Sequence, residues 1–162
     1  MDIEGQLQIL IERSPDDGMT VQIIENAVVP TLRAFSEQLK QLEYYVIQTL
    51  EQGWVLTTLS NRARAGVEKK VIYGFASLKD ASNFQDTSDP NLVAIALPVT
   101  HILFQLFALK EVDSIVFMET PGNLSAGKEV RRSDLQKLVE VQWQDWQKSS
   151  RPKSRTIPPD LA

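Results

Sequence analysis

Apolar residues recur at helical spacing from the start of the chain: Ile3, Leu7, Leu10 and Ile11 share one stripe, which Ser14-Pro-Asp-Asp-Gly18 closes with turn-forming residues. A second stripe runs through Val21, Ile24, Val28, Leu32, Phe35, Leu39 and Leu42, with Pro30 inside it. Proline lacks a backbone donor and its ring crowds the preceding turn, so the pattern predicts two helices meeting near Val29. Residues 6–25 carry a competing pattern, a hairpin in which Leu7, Ile9 and Ile11 face Val21 and Ile23 across Asp17-Gly18.

From Glu43 the period changes. Tyr44-Tyr-Val-Ile-Gln-Thr-Leu50 is rich in aromatic and β-branched residues, Gln52-Gly53 turns the chain, and Trp54-Val-Leu-Thr-Thr-Leu59 follows. Val71-Ile-Tyr-Gly-Phe75 supplies a third strand, and the three are expected to pair antiparallel in sequence order. Ser77 with Asp80 marks the start of a short helix through Phe84. Leu92-Val-Ala-Ile-Ala-Leu97 is apolar without alternation, which predicts a central strand covered on both faces and ended by Pro98. Val99, Ile102, Leu103, Leu106 and Phe107 form the inner stripe of the next helix, and Ser114-Ile-Val-Phe-Met118 is another strand. The connection between the two strands favours a right-handed parallel crossover. Gly122 to Lys128 reads as loop. Ser133, with Gln136 in the capping-box position, is expected to open a last helix bearing Leu135, Leu138, Val139, Trp143 and Trp146.

Together these elements predict a single α/β domain over 1–148, with α+β as the alternative grouping. It comprises an N-terminal helical segment (1–42), then sheet and helices (43–148) forming a mixed sheet of about five strands with a C-terminal covering helix. Pro152, Pro158 and Pro159 among basic and polar residues predict a flexible tail over 149–162.

Several phrases in this order carry a resemblance. Phe75-Ala-Ser77-Leu-Lys-Asp-Ala81, Ala94-Ile-Ala-Leu-Pro98, Ser114-Ile-Val-Phe-Met-Glu-Thr-Pro-Gly122 and Arg132-Ser-Asp-Leu-Gln-Lys-Leu138 follow one another at the spacing of the N-terminal domain of the SseB, or enhanced-serine-sensitivity, family. The stretch from about Tyr44 to Val139 resembles that domain. It departs at Glu119-Thr120, where the family more often has Asn directly before Pro-Gly. The resemblance implies an α/β domain and, since the family has no agreed enzymatic activity, little chemistry.

Composition narrows the classes of function. The 162 residues carry a net charge of -4, so a nucleic-acid partner would need a local basic patch rather than the overall field. There are no cysteines, which removes disulfides, thiolate metal sites and cysteine nucleophiles. Met1-Asp-Ile-Glu lacks the basic start and apolar run of a signal peptide, and no stretch approaches the ~18 apolar residues of a membrane span. The expectation is a cytoplasmic protein with no membrane association.

Four constellations invite chemistry. Gly122-Asn-Leu-Ser-Ala-Gly127-Lys128 has phosphate-loop spacing, but Glu129 stands where a hydroxyl should hold magnesium, and an ordinary connecting loop fits better. His101, the sole histidine, has Leu97, Pro98, Phe104 and Gln105 one helical turn away rather than a carboxylate, and reads as a helix-start histidine. Arg62, Arg64, Lys69 and Lys70 concentrate charge in one loop near Trp54, a pattern able to hold single-stranded nucleic acid. Arg131 and Arg132 would widen that patch if the fold brought them close. Trp143 and Trp146 share a helical face as core residues or as a partner anchor. The sequence thus points to no cofactor and no metal. It favours a non-catalytic protein-interaction or regulatory module, using a sheet edge, the Trp143/Trp146 helix or the 62–70 loop. A nucleic-acid accessory role is the alternative, and a homodimer is compatible with either.

Overall fold

The structure, a computed structural model, describes residues 2–14, 17–51, 53–60, 68–84, 90–123 and 127–150. Helix α1 (Ile3–Glu12) starts at Asp2, whose carboxylate accepts from Gly5 N at 2.8 Å. Asp17 opens α2 (Gly18–Ile23) in the same way, accepting from Met19 N at 3.1 Å. The chain then widens into a π-helical turn (Ile24–Val28) and continues without a break as α3 (Val29–Ser36). The described part of 6–25 is therefore helical, and the junction near Val29 is a widened turn rather than a gap. Pro30 cannot donate to the preceding turn and its ring crowds the carbonyl there. A π-turn, in which Val29 N reaches back to Ile24 O, absorbs that conflict without ending the helix.

The strands are β1 (Glu43–Thr49), β2 (Thr57–Ser60), β3 (Glu68–Phe75), β4 (Leu92–Pro98), β5 (Ser114–Met118) and β6 (Lys128–Arg131). Helix α4 (Leu78–Phe84) precedes β4, α5 (Val99–Ala108) links β4 to β5, and α6 (Arg132–Ser150) follows β6. They build one open mixed sheet in the order β4-β1-β3-β5-β6, with β2 on β3. Only the β3–β5 pair is parallel among the described ladders. This is the expected single α/β fold, with one more strand than the pattern predicted.

Four expectations are corrected. The first three strands do not pair in sequence order. Tyr45 and Val46 of β1 face Phe75 and Gly74 of β3, while β2 faces residues 68–71 of the same strand, so β1 and β2 lie end to end along one edge of β3. The turn between them survives as a short excursion closed by the Gln48–Trp54 bridge. Second, β4 is an edge strand, not a central one: all seven of its residues pair with β1 on one side alone. Periodicity reports which faces are covered and is silent about edges, so an apolar run does not separate the two cases. Third, Lys128–Arg131 is a strand, paired antiparallel with β5. Fourth, the last helix begins at Arg132, directly out of β6, so Ser133 lies inside it and does not cap it.

Strand alternation divides the core. Tyr44, Val46, Ile72, Ile115, Phe117 and Val130 point to one face, where they meet Leu7, Leu32, Ile102, Leu103, Leu106 and Leu135 from the helices. Ile47, Phe75 and Met118 point to the other face, against Ala81 of α4. Gly74 is required where the first face is most crowded: a Cβ there would lie 3.3 Å from the Phe117 ring and 3.4 Å from Tyr44 Cβ. Trp143 packs against the larger core from α6.

Candidate functional site

The phase of the β1–β4 ladder decides what β4 offers to its surroundings. Val99 N donates to Leu42 O at 2.9 Å, and these two residues continue the register in which Glu43 faces Pro98. Hydrogen-bonded and non-bonded pairs alternate in an antiparallel ladder, so Leu97, Ile95 and Val93 bond to β1. Leu92, Ala94 and Ala96 then direct their N–H and C=O groups outward. The far side of β1 agrees: opposite Ala94 and Leu92, Ile47 O accepts from Val55 N at 3.1 Å and Thr49 N donates to Gly53 O at 2.7 Å, both away from β4.

Among the described residues nothing bonds to the outer side of β4. The strand carries no charge; Val93 is 38% exposed and Ala96 is exposed. Such an edge is a template for another strand, and proteins normally blunt it with charge, proline or shortness. The opposite edge is blunted in that way, since β6 has four residues, three of them Lys128, Glu129 and Arg131. Pro98 only closes the end of β4.

Beside β4, on the α5 face, lies a cavity of about 680 Å³ lined by Gln48, Trp54, Leu97, His101 and Gln105 among others. A second, of about 270 Å³, sits against Leu10 and Arg13 of the N-terminal helix region. Leu97 and His101 line both cavities. Burial disfavours the charged form of His101 and the nearby Arg13 cation adds to the effect, so its pKa lies below the ordinary 6.5. The unfolded chain consequently binds this proton more readily than the folded one. Stability should be level in this term above pH 6.5 and fall as the pH drops through the depressed folded value. Urea midpoints followed from neutral pH downward should show that slope, and His101→Gln should flatten it. Loss from Glu4 and Glu129, whose pKa values are held below 4.5, enters only at lower pH.

The other sequence-derived candidates are dispersed. Arg62 and Arg64 lie outside the described residues. Lys69 and Lys70 belong to β3 rather than to a loop, and strand alternation sends them to opposite faces. Lys69 ion-pairs with Glu129, which also accepts from Ser114 Oγ at 2.7 Å and lies 3.7 Å from Arg131 Nε. The Lys69 bond is the main reason the Glu129 carboxyl is held low. The fold does bring Arg131 and Arg132 to Lys69: with Lys110 they line a cavity of about 350 Å³ that also contains Glu68 and Asp113. Trp143 is half-buried against the core, and Trp146, also half-buried, stacks on it at 5.1 Å, so the two form one aromatic unit on α6.

The phosphate-loop spacing resolves into structural roles on its described residues. Gly122 has φ +84°, a Cβ on Gly127 would reach 2.5 Å from Val116, and Lys128 Nζ donates to Gln38 O at 3.2 Å. The strand β6 intervenes before α6, so the segment does not lead directly into a helix N-terminus as a phosphate loop does.

Two phrases that carried the family resemblance meet in space. The buried Asp80 carboxylate of α4 accepts from Gly122 N at 3.0 Å through both oxygens, fixing the Pro121-Gly122 turn. Glu119, the position of departure, accepts from the Tyr44 hydroxyl and, at 2.9 Å, from Lys40 N. Burial first, and then this carboxylate, raise the Tyr44 phenol well above its ordinary pKa. Sequence reasoning gave Glu119 no task, and its distance of 75 residues from Tyr44 explains why.

Among the described residues no group of three or more His, Asp or Glu is placed to hold a metal ion, and no helix is long and apolar enough to cross a membrane. Comparison with family models, with curated proteins and with solved structures finds no match to this chain.

Proposed function

We propose that this protein is a non-catalytic protein-interaction module that works by strand addition at β4. The observation that carries the reading is the seven-residue, uncharged edge whose Leu92, Ala94 and Ala96 groups point outward, beside an opposite edge that is short and charged. An extended segment laid there would gain main-chain hydrogen bonds, with side chains on one face directed toward the cavity at His101. The resemblance to the SseB family is compatible with such a regulatory role.

Selection from a displayed library of random peptides, followed by NMR hydrogen exchange, tests the reading. Bound peptides should slow exchange at the Leu92, Ala94 and Ala96 amides while leaving Ile95 unchanged. Ala96→Pro removes one outward donor and should weaken binding by about tenfold or more. Trp146→Ala should leave binding intact. Peptides lost with Trp146→Ala but not with Ala96→Pro would place the function on α6 instead.

The cluster of Lys69, Lys110, Arg131 and Arg132 favours a second reading, a nucleic-acid accessory role. Glu129 already engages Lys69, and Arg131 lies beside it, which weakens that reading. Its signature would be a salt-sensitive isotherm for single-stranded RNA or DNA that collapses with Lys110→Ala and Arg132→Ala.

A further inference from the structure

Strand addition at β4 needs a partner strand of matching phase and shape, and β4 itself has both. We infer that the added strand is β4 of a second copy of this protein, in a two-fold antiparallel pair centred on Ile95; this rests on β4 being the docking edge. Read outward from Ile95, the strand is nearly symmetric: Ala94 and Ala96 flank it, then Val93 and Leu97, then Leu92 and Pro98.

A dyad at Ile95 overlaps the full length of both strands and places Ala94 opposite Ala96 of the second copy. Both residues face outward, so the pair exchanges two hydrogen bonds and its symmetry mate two more. The Leu92–Pro98 pairs at the ends add none, because Pro98 O opens helix α5, so the total is about four. Shifting the dyad to Ala94 keeps the phase and pairs Leu92, Ala94 and Ala96 among themselves but leaves Leu97 and Pro98 beyond the overlap, and shifting it to Ala96 leaves Leu92 and Val93 beyond it. A dyad at Ala94 also sets Leu92 against Ala96 instead of matching like-sized residues.

Side-chain chemistry agrees with the geometry. Nothing in β4 is charged, so a two-fold axis creates no like-charge contact. Of the three outward-bonding positions, all on the α4 face, the two nearest the dyad are Ala94 and Ala96, small enough for two backbones to approach. Ile95 meets its counterpart in the close, non-hydrogen-bonded kind of pair, on the α5 face. An isologous contact of this kind closes on itself and gives a dimer rather than a fibre. The β6 edge, with Lys128, Glu129 and Arg131 on four residues, does not offer the same fit.

The absence of cysteine makes the register directly readable. Sedimentation equilibrium of the wild-type chain should show a mass rising with concentration from 18.3 kDa to about twice that. Ile95→Cys should oxidise to a covalent dimer, since the Cα separation of about 4.5 Å in a non-bonded pair suits a disulfide. Ala94→Cys should not, because its counterpart lies two positions along the strand, beyond the reach of about 7 Å. Ala96→Pro should return the wild type to a monomer, with circular dichroism confirming the fold.

A wild-type chain that stays monomeric at millimolar concentration, with no Ile95→Cys cross-link, overturns self-pairing. If selected peptides then still protect the Ala94 and Ala96 amides, strand addition stands with a different partner; if none does, both readings fall. A dimer that survives Ala96→Pro, or that cross-links through Ala94→Cys and not Ile95→Cys, overturns the Ile95-centred pair.

Discussion

Phe117→Ala should lower the free energy of unfolding by about 3–5 kcal/mol, the largest single-residue loss expected in this protein. Phe117 is fully buried on β5, directly across from the helices, and its ring meets Tyr44 edge-on at 4.7 Å. Gly74 on the neighbouring strand supplies the space for that ring. Truncation therefore removes the transfer contribution of a whole aromatic side chain and an aromatic pair of about 0.5–1.5 kcal/mol, and it leaves a cavity between two strands that are fixed on both sides. The loss is a large share of the roughly 5–15 kcal/mol that holds a domain of this size folded. Urea denaturation monitored by tryptophan fluorescence measures it. Phe117→Leu, which keeps most of the volume, should cost clearly less. Equal losses for Leu and Ala would mean that ring geometry, not filled volume, sets the stability of this layer.

Gln6→Ala should cost about 2–3 kcal/mol although it removes no apolar core. Helix α5 begins after Pro98, which has no side chain able to cap it, so its first N–H groups need partners from elsewhere. Val99 N finds Leu42 O at 2.9 Å, and Thr100 N finds Gln6 Oε1 at 3.1 Å. The same Gln6 oxygen accepts from Thr100 Oγ1 at 2.9 Å, and Gln6 Nε2 donates to Leu42 O at 3.0 Å. Gln6 and Thr100 are both buried, so alanine leaves a helix-start donor and a hydroxyl without partners and without water. Gln6→Glu keeps an acceptor for Thr100 but buries a carboxylate and sets its oxygen against Leu42 O, so it should also be destabilising at pH 7, and less so where the carboxyl is protonated and can donate. Hydrogen exchange adds a local readout: the Thr100 amide should exchange faster in Gln6→Ala than the global loss of stability accounts for. An unchanged Thr100 amide would remove Gln6 as the cap of α5.

The two predictions differ in how visible their residues are in the sequence. Phe117 sits in Ser114-Ile-Val-Phe-Met118, an apolar run that reads as a strand from the sequence. Gln6 lies on the apolar stripe of α1 between Ile3 and Leu7, a polar residue out of place, and that is the only local trace of its role. Its partners Leu42 and Thr100 are 36 and 94 residues away. The candidate site behaves in the same manner. Leu92–Leu97 is legible as an apolar strand, yet its position at the edge depends on β1 pairing with β3 and not with β2. Lys69 and Lys70 read as adjacent charges, whereas the pleat sends them to opposite faces.

While the choice of helices over a hairpin across 6–25 fell to the tertiary structure, hydrophobic periodicity and turn residues determined most of the element inventory: the strands around Val46, Ile72, Ile95 and Val116, α4 to α6, and an α/β class. These are local properties, fixed by backbone sterics and by the spacing at which apolar side chains share a face. Strand order, the short strand β6, the capping of α5 by α1, the Asp80–Gly122 and Tyr44–Glu119 ties and the open edge of β4 were decided only by the tertiary structure. Each depends on which distant segments satisfy one another's backbone groups and buried polar atoms, and one-dimensional spacing carries no record of that pairing.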